Sequence, residues 1–201
     1  MNLPEPDTTP FIFPSSDNTE TAFNIYNHLL VKRIVFLRGE LTEEKANEII
    51  AQLLFLDAES EQDIFLYING FGDLVTAALS IYNTIQQINS DVCTVCVGTA
   101  TSMVAILLSS GTKGRRYTLP NARIKIQQPF RKVEGKAVDI EKAAKEILHQ
   151  KETINRILAT NTKRSPELIE HDTQRDFFLS AKEAKAYGLI DKIVSKPPAS
   201  S

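Results

Sequence analysis

Short apolar runs alternate along this chain with longer amphipathic stretches, and that alternation restricts its architecture more than any single motif does. Ile34-Val35-Phe36-Leu37 and the runs 64–68 and 92–97 carry β-branched, aromatic or other apolar residues at successive positions, the pattern of strands buried on both faces, and 122–126 and 190–194 read as further strands. Between them lie stretches of helical period over 42–56, 74–88 and 102–110, the first opened by Thr42 as a cap with Glu43 and Glu44 in its first turn. A shorter amphipathic helix from Thr19 leads into the first strand. Strands hidden on both faces and joined by helices require crossover connections, so the expected class is α/β with a largely parallel sheet and flanking helices.

One stretch departs from compact habit. Residues 137 to about 160 read as an uninterrupted helix, about 36 Å long at about 1.5 Å per residue. Its apolar positions Ile140, Ala143, Ala144, Ile147, Ile154, Ile157 and Leu158 form one stripe. Such a helix either projects and buries the stripe against another subunit or lies across its own domain. A short helix follows over 166–173, and a last one starts at the capping box Ser180/Glu183 and stops at Gly188. Residues 1–18, rich in Pro, Ser, Thr and Asp around Phe11-Ile12-Phe13, read as a flexible arm. The expected domain spans 19–195, with a frayed tail over 196–201.

Charge and cysteine content exclude several functions. A formal charge of -2 without a basic cluster larger than Arg115-Arg116 argues against nucleic-acid binding. The longest apolar stretches, such as 104–108, fall well short of the roughly 20 residues that span a bilayer. Cys93 and Cys96 spell C-x-x-C, but within a strand residues three apart face opposite sides, about 10 Å apart, so neither a disulfide nor a shared metal is expected. No cofactor is expected either. Buried core cysteines fit a reducing compartment, and before Lys32 there is no Lys or Arg but several acids, unlike a transit peptide or secretory signal, so the chain as given reads as mature or untargeted.

Ser102, within Gly98-Thr99-Ala100-Thr101-Ser102-Met103, lies between a buried strand and a helix. A hydroxyl there is either an ordinary N-cap or a nucleophile placed where helix N–H groups favour negative charge. The surrounding motifs are more specific. Ala51-Gln52-Leu53-Leu54-Phe55-Leu56, Leu66-Tyr67-Ile68-Asn69, Ser102-Met103, Leu119-Pro120-Asn121-Ala122-Arg123-Ile124, Asp172-Thr173-Gln174-Arg175-Asp176-Phe177-Phe178-Leu179-Ser180-Ala181 and Tyr187-Gly188-Leu189-Ile190-Asp191 follow in order. From about Ala22 to Val194 the chain resembles the Clp protease proteolytic subunit.

That resemblance implies a crotonase-like α/β subunit with a projecting handle helix, rings of seven stacked in pairs through their handles, and a partner ATPase of the ClpC, ClpX or ClpA type that feeds in unfolded protein. It also implies a Ser-His-Asp triad, whose serine falls on Ser102 and whose aspartate falls on Asp176. The histidine position holds Gln127. A neutral amide has no lone pair basic enough to take the seryl proton, and loss of the triad histidine costs on the order of 10⁶ in turnover.

The family's oxyanion hole falls on Met103 and Asp73, where Asn69-Gly70-Phe71-Gly72-Asp73 replaces Asn-Ser-Pro-Gly-Gly. A carboxylate facing the oxyanion at about 4 Å, in an effective dielectric of about 20, would cost about 4 kcal/mol, or about 10³ in rate. Alternatively, Asp73 caps the next helix through the N–H of Val75 or Thr76. The family's groove-lining glycine pair falls on Arg131 and Lys132, bulky cations that would restrict pairing with a substrate backbone. Arg175 matches an inter-ring contact, and Phe65 and Tyr67 match the ATPase-docking clefts, where Gln87 stands in place of the usual aromatic residue.

Other bases are few. His171 reads as a surface residue, and His28 and His149 lie on other elements. Lys125 shares a strand face with Gln127 and either activates Ser102 as a dyad or reaches toward solvent or an acidic neighbour. The expectation is a non-catalytic, ClpR-type subunit that joins active ClpP subunits in a hetero-oligomeric tetradecamer. Its rivals are an active Ser102/Lys125 endopeptidase and a stand-alone crotonase-like enzyme.

Overall fold

The computed structural model describes residues 25–130 and 132–196. The arm 1–18, the start of the first helix, Arg131 and most of the tail lie outside the described residues. A seven-stranded sheet carries the fold. Strands β1 (Ile34–Glu40), β2 (Ile64–Gly72) and β3 (Val92–Ser102) run parallel, with helices α1 (Ile25–Val31), α2 (Glu43–Glu59) and α3 (Val75–Gln87) at their connections. Thr42 caps α2 by accepting from the Lys45 N–H, as expected.

The third strand is longer than its apolar run suggested. Gly98-Thr99-Ala100-Thr101, read as a linker, continues β3 up to Ser102, where α4 (Met103–Ser109) begins. That length lets β3 serve two partners. Its first half pairs with β4 (Arg116–Thr118) through Thr94 to Cys96, and its second half pairs with β5 (Arg123–Ile126) through Thr99 to Thr101. The sheet therefore divides beyond Cys96. One branch continues to β7 (Lys192–Ile193), the other to β6 (Phe177–Ser180), which pairs antiparallel with β5. Neither β4 nor β6 falls on an expected strand.

The main core lies between this sheet and the helices and includes Leu37, Leu53, Leu66, Ile68, Ile81, Cys96 and all the apolar residues of α4. Phe65, Cys93 and Val95 form a second cluster on the other sheet face. The two cysteines thus sit in different cores, both free, and burial pushes both thiols up to about 11, as the strand geometry required.

Helix α5 (Ala137–Thr162) has 26 residues and decides between the two readings of the long helix. Over 137–146 every residue except the half-buried Ala143 is exposed, whereas Ile154, Ile157 and Leu158 are buried. The stripe is divided: its far half anchors the helix, and its near half, with Ile140 and Ala144, leaves the domain uncovered. Helix α6 (Pro166–Thr173) packs on α5, and α7 (Ala181–Tyr187) starts at the expected capping box and ends on Gly188 at φ +98. A Cβ at Gly188 would sit 2.6 Å from the Thr162 carbonyl, so the helix end needs glycine twice over.

Two arginine hubs fasten the fold, one half-buried and one fully buried. The Arg33 guanidinium donates to the carbonyls of Leu56, Ser60, Gln62 and Asp63, tying the end of α2 to the start of β2. Arg116, 2% exposed, makes a two-pronged pair with Asp191 at 2.9 and 2.7 Å and also donates to the carbonyls of Ser109 and Asn161. Burial pushes the Asp191 carboxyl up, but hydrogen bonds and charge from Arg116 and the N–H groups of Arg116 and Gly114 outweigh it and hold the group low.

Asp191→Ala leaves a buried cation unpaired and should cost about 3–5 kcal/mol in denaturant unfolding. A carboxyl held low stabilises the fold above its unfolded value of about 3.9, and that contribution is lost as pH falls through the folded value. Urea titrations between pH 3 and 7 should therefore show a steeper acid loss in the parent than in Asp191→Ala; equal slopes would exclude this role for the pair.

Candidate functional site

The branch formed by β2, β3, β5 and β6 brings the candidate site together through strand register. Gly72 pairs with Ser102, Thr101 with Lys125, and Ile126 with Phe177. Asp73, Gln127 and Asp176 each stand one residue beyond a paired position, so three segments distant in sequence end at one place. Gly72 adopts φ +154, and a Cβ there would meet Leu41 Cβ at 2.8 Å, so this approach of β2 to the next segment requires glycine.

Ser102 carries the backbone of an exposed-nucleophile turn without an exposed nucleophile. It sits at φ +59 and ψ -122, a conformation that a residue with a Cβ adopts at a cost of order 1–3 kcal/mol. A sharp strand-to-helix turn of this kind is how several hydrolases present a serine. Yet Ser102 is 1% exposed, and its hydroxyl has no hydrogen-bond partner among the described residues. It occupies the N-cap position of α4, but its side chain makes no cap bond. Met103 follows as the first residue of α4 and is fully buried.

The other site residues are paired away from the serine. Gln127 Nε2 donates to Asp73 Oδ1 at 2.9 Å. This corrects the helix-cap reading of Asp73: the N-cap of α3 is Leu74, without a side-chain bond, because the amide across the groove competes for the carboxylate. Lys125 Nζ donates to Asp176 Oδ2 at 3.1 Å, and the Phe178 ring lies 5.6 Å from the ammonium. Of the readings of Lys125, contact with an acidic neighbour is the one observed, and no bond joins it to Ser102. A cleft of about 790 Å³ beside Asp73 is lined by Glu40, Glu43, Phe71, Leu74, Phe130 and Ile147, among others.

The remaining candidates lie elsewhere. His171 is exposed beside Asp172, and His28 and His149 are exposed on α1 and α5. Arg175 is exposed next to Asp176, and Lys132 pairs with Glu134 at the surface. Phe65 is buried and Tyr67 stacks on Phe36 at 5.9 Å on one sheet face, whereas Gln87 ends α3, whose core residues cover the opposite face. Within one chain these three do not meet. Among the described residues, no group of three or more His, Cys, Asp and Glu side chains is placed to hold a metal ion, and no helix is long and apolar enough to cross a membrane.

The sequence alone pointed to the altered positions but not to the two pairings that join them. Nothing in the spacing of Asp73 and Gln127, or of Lys125 and Asp176, announces a contact. Only the register does.

A family model of Clp proteases matches residues 17–197, and the chain belongs to that family. Its mixed α/β architecture, with a mostly parallel sheet flanked by seven described helices, is the fold of a ClpP-like proteolytic subunit. Membership implies assembly into ClpP-type rings with Clp ATPases.

The turn at Ser102 also sets a stability test. Ser102→Gly removes both the positive-φ strain and a buried, unpartnered hydroxyl, and should raise the unfolding free energy by about 1 kcal/mol. Thermal denaturation of the two proteins checks this; a drop in melting temperature would show that the turn is not strained.

Proposed function

We propose that this chain is a catalytically inactive subunit of an ATP-dependent Clp serine protease core, a ClpR-type member that assembles in mixed rings with active ClpP subunits. One observation carries the reading: the side chain in the histidine position is an amide whose N–H is given to Asp73. Peptide hydrolysis needs a base within reach of the seryl hydroxyl. Gln127 cannot accept the proton, and Lys125 is engaged by Asp176. The uncovered half of α5 supports assembly, since an exposed stripe holding Ile140 and Ala144 suits burial in a stacked ring. In that assembly the chain shapes the chamber, its entrance and its ATPase contacts, active sister subunits cleave the unfolded protein, and the setting is a bacterial cytoplasm or a plastid stroma.

The isolated chain should neither cleave small peptides nor react at Ser102 with a fluorophosphonate, while an active ClpP assembled with it does both. Turnover by the lone chain that disappears in Ser102→Ala would overturn the assignment. If that turnover were lost in Lys125→Ala as well, a Ser102/Lys125 dyad would replace it.

Gln87 should weaken ATPase docking at the clefts that contain it, because a polar side chain stands where an apolar contact is made in the family. Gln87→Phe is expected to tighten binding of the unfoldase to the assembled core several-fold. Unchanged affinity in a pull-down titration would count against that role.

A further inference from the structure

The two polar contacts at the altered site share one feature. Each joins a position that triad chemistry needs to a residue that such chemistry does not use. Position 127 is tied to Asp73, and Asp176 is tied to Lys125. Both ties start from the same stretch, the end of β5 and the residue just after it.

A serine is activated only when one nitrogen of the base holds a free lone pair facing the hydroxyl while the other donates to a carboxylate that fixes the tautomer. An imidazole at 127 would find the opposite wiring. Asp73 already receives the N–H of the side chain at 127, so it competes for the nitrogen that must stay unprotonated toward Ser102. Asp176 is already occupied by an ammonium whose side chain is 17% exposed and whose other neighbour is the Phe178 ring. With one oxygen held by the ammonium, that carboxylate is less available to orient a ring or to stabilise an imidazolium.

We infer that Asp73 and Lys125 are positioning residues that disarm Ser102 independently of Gln127, so that a histidine at 127 alone does not make a working triad. This rests on the reading of the site as inactive, and it adds that the inactivity is set in three places. A missing base is one; a misdirected nitrogen and a sequestered aspartate are the others.

The test uses the full chain assembled with an active ClpP partner, whose own serine serves as the internal standard for assembly. Gln127→His, Gln127→His with Lys125→Met, and the triple variant with Asp73→Gly are labelled with a fluorophosphonate across pH 5–9. Methionine is chosen because it is unbranched, uncharged and adaptable beside a ring. Ser102 labelling, normalised to the partner's serine, should rise less than about 10-fold in Gln127→His and at least about 100-fold more in the triple variant, since loss of tautomer control alone costs about 10⁴ in a serine protease.

The pH profile separates wiring from mere structure. A carboxylate beside an imidazole favours its charged form, so the double variant, which keeps both Asp73 and Asp176 facing the ring, should gain reactivity at a higher pH than the triple variant. Gln127→His that labels within about threefold of the triple variant, or coincident midpoints in the double and triple variants, would overturn the inference. Labelling of the unsubstituted chain would instead overturn the inactive-subunit reading, so the two failures are distinct.

Discussion

The division of β3 between two partners is the constraint on which the rest of this structure depends. Eleven residues long, it is held by β2 along its length, by β4 over its first half and by β5 over its second. One continuous strand therefore belongs to the packed sheet at its start and to the site at its end. Ser102 inherits its position from this: it is the last residue of β3 and the last before a helix whose apolar residues are wholly buried. The positive φ at that residue is imposed by two rigid elements meeting at one peptide, and their burial outweighs the local strain.

The branches created by β3 would separate without fastening, and buried ion pairing supplies it on one side. Arg116 on β4 reaches Asp191 just before β7 and the carbonyls at the ends of α4 and α5, so one guanidinium joins four elements. On the other side the antiparallel β5–β6 pairing does the same work with backbone hydrogen bonds, and Thr173 accepts from the Gln128 N–H to extend it. That second fastening is what sets Gln127 and Asp176 side by side. The closure that completes the sheet therefore also gathers the strand ends that carry Ser102, Gln127 and Asp176.

At these strand ends the polar side chains pair with one another. The Gln127 amide donates to Asp73, and the Lys125 ammonium donates to Asp176. Both contacts are at the surface or half-buried, where a single pair contributes at most about 1 kcal/mol to stability. Their weight is in placement: they fix which carboxylate each side chain meets, while the Ser102 hydroxyl in its strained, buried turn has no hydrogen-bond partner among the described residues.

How far the amino-acid order reaches can be followed element by element. Wherever a segment carries its own signal, the reading holds: Thr42, the Ser180/Glu183 box and Gly188 bound helices through side chains and φ values that are local in the chain, and the two cysteines part by strand alternation alone. The family is legible for the same reason, because its motifs are contiguous. β4 and β6 were invisible because their hydrogen bonds come from partners distant in sequence, and the cap assigned to Asp73 failed because a partner 54 positions away outcompeted the local one. By itself the sequence determined which side chains these strand ends carry, Lys125 and Gln127 among them. Tertiary structure alone decided which carboxylate each of them meets, because strand register, and not proximity along the chain, sets those distances.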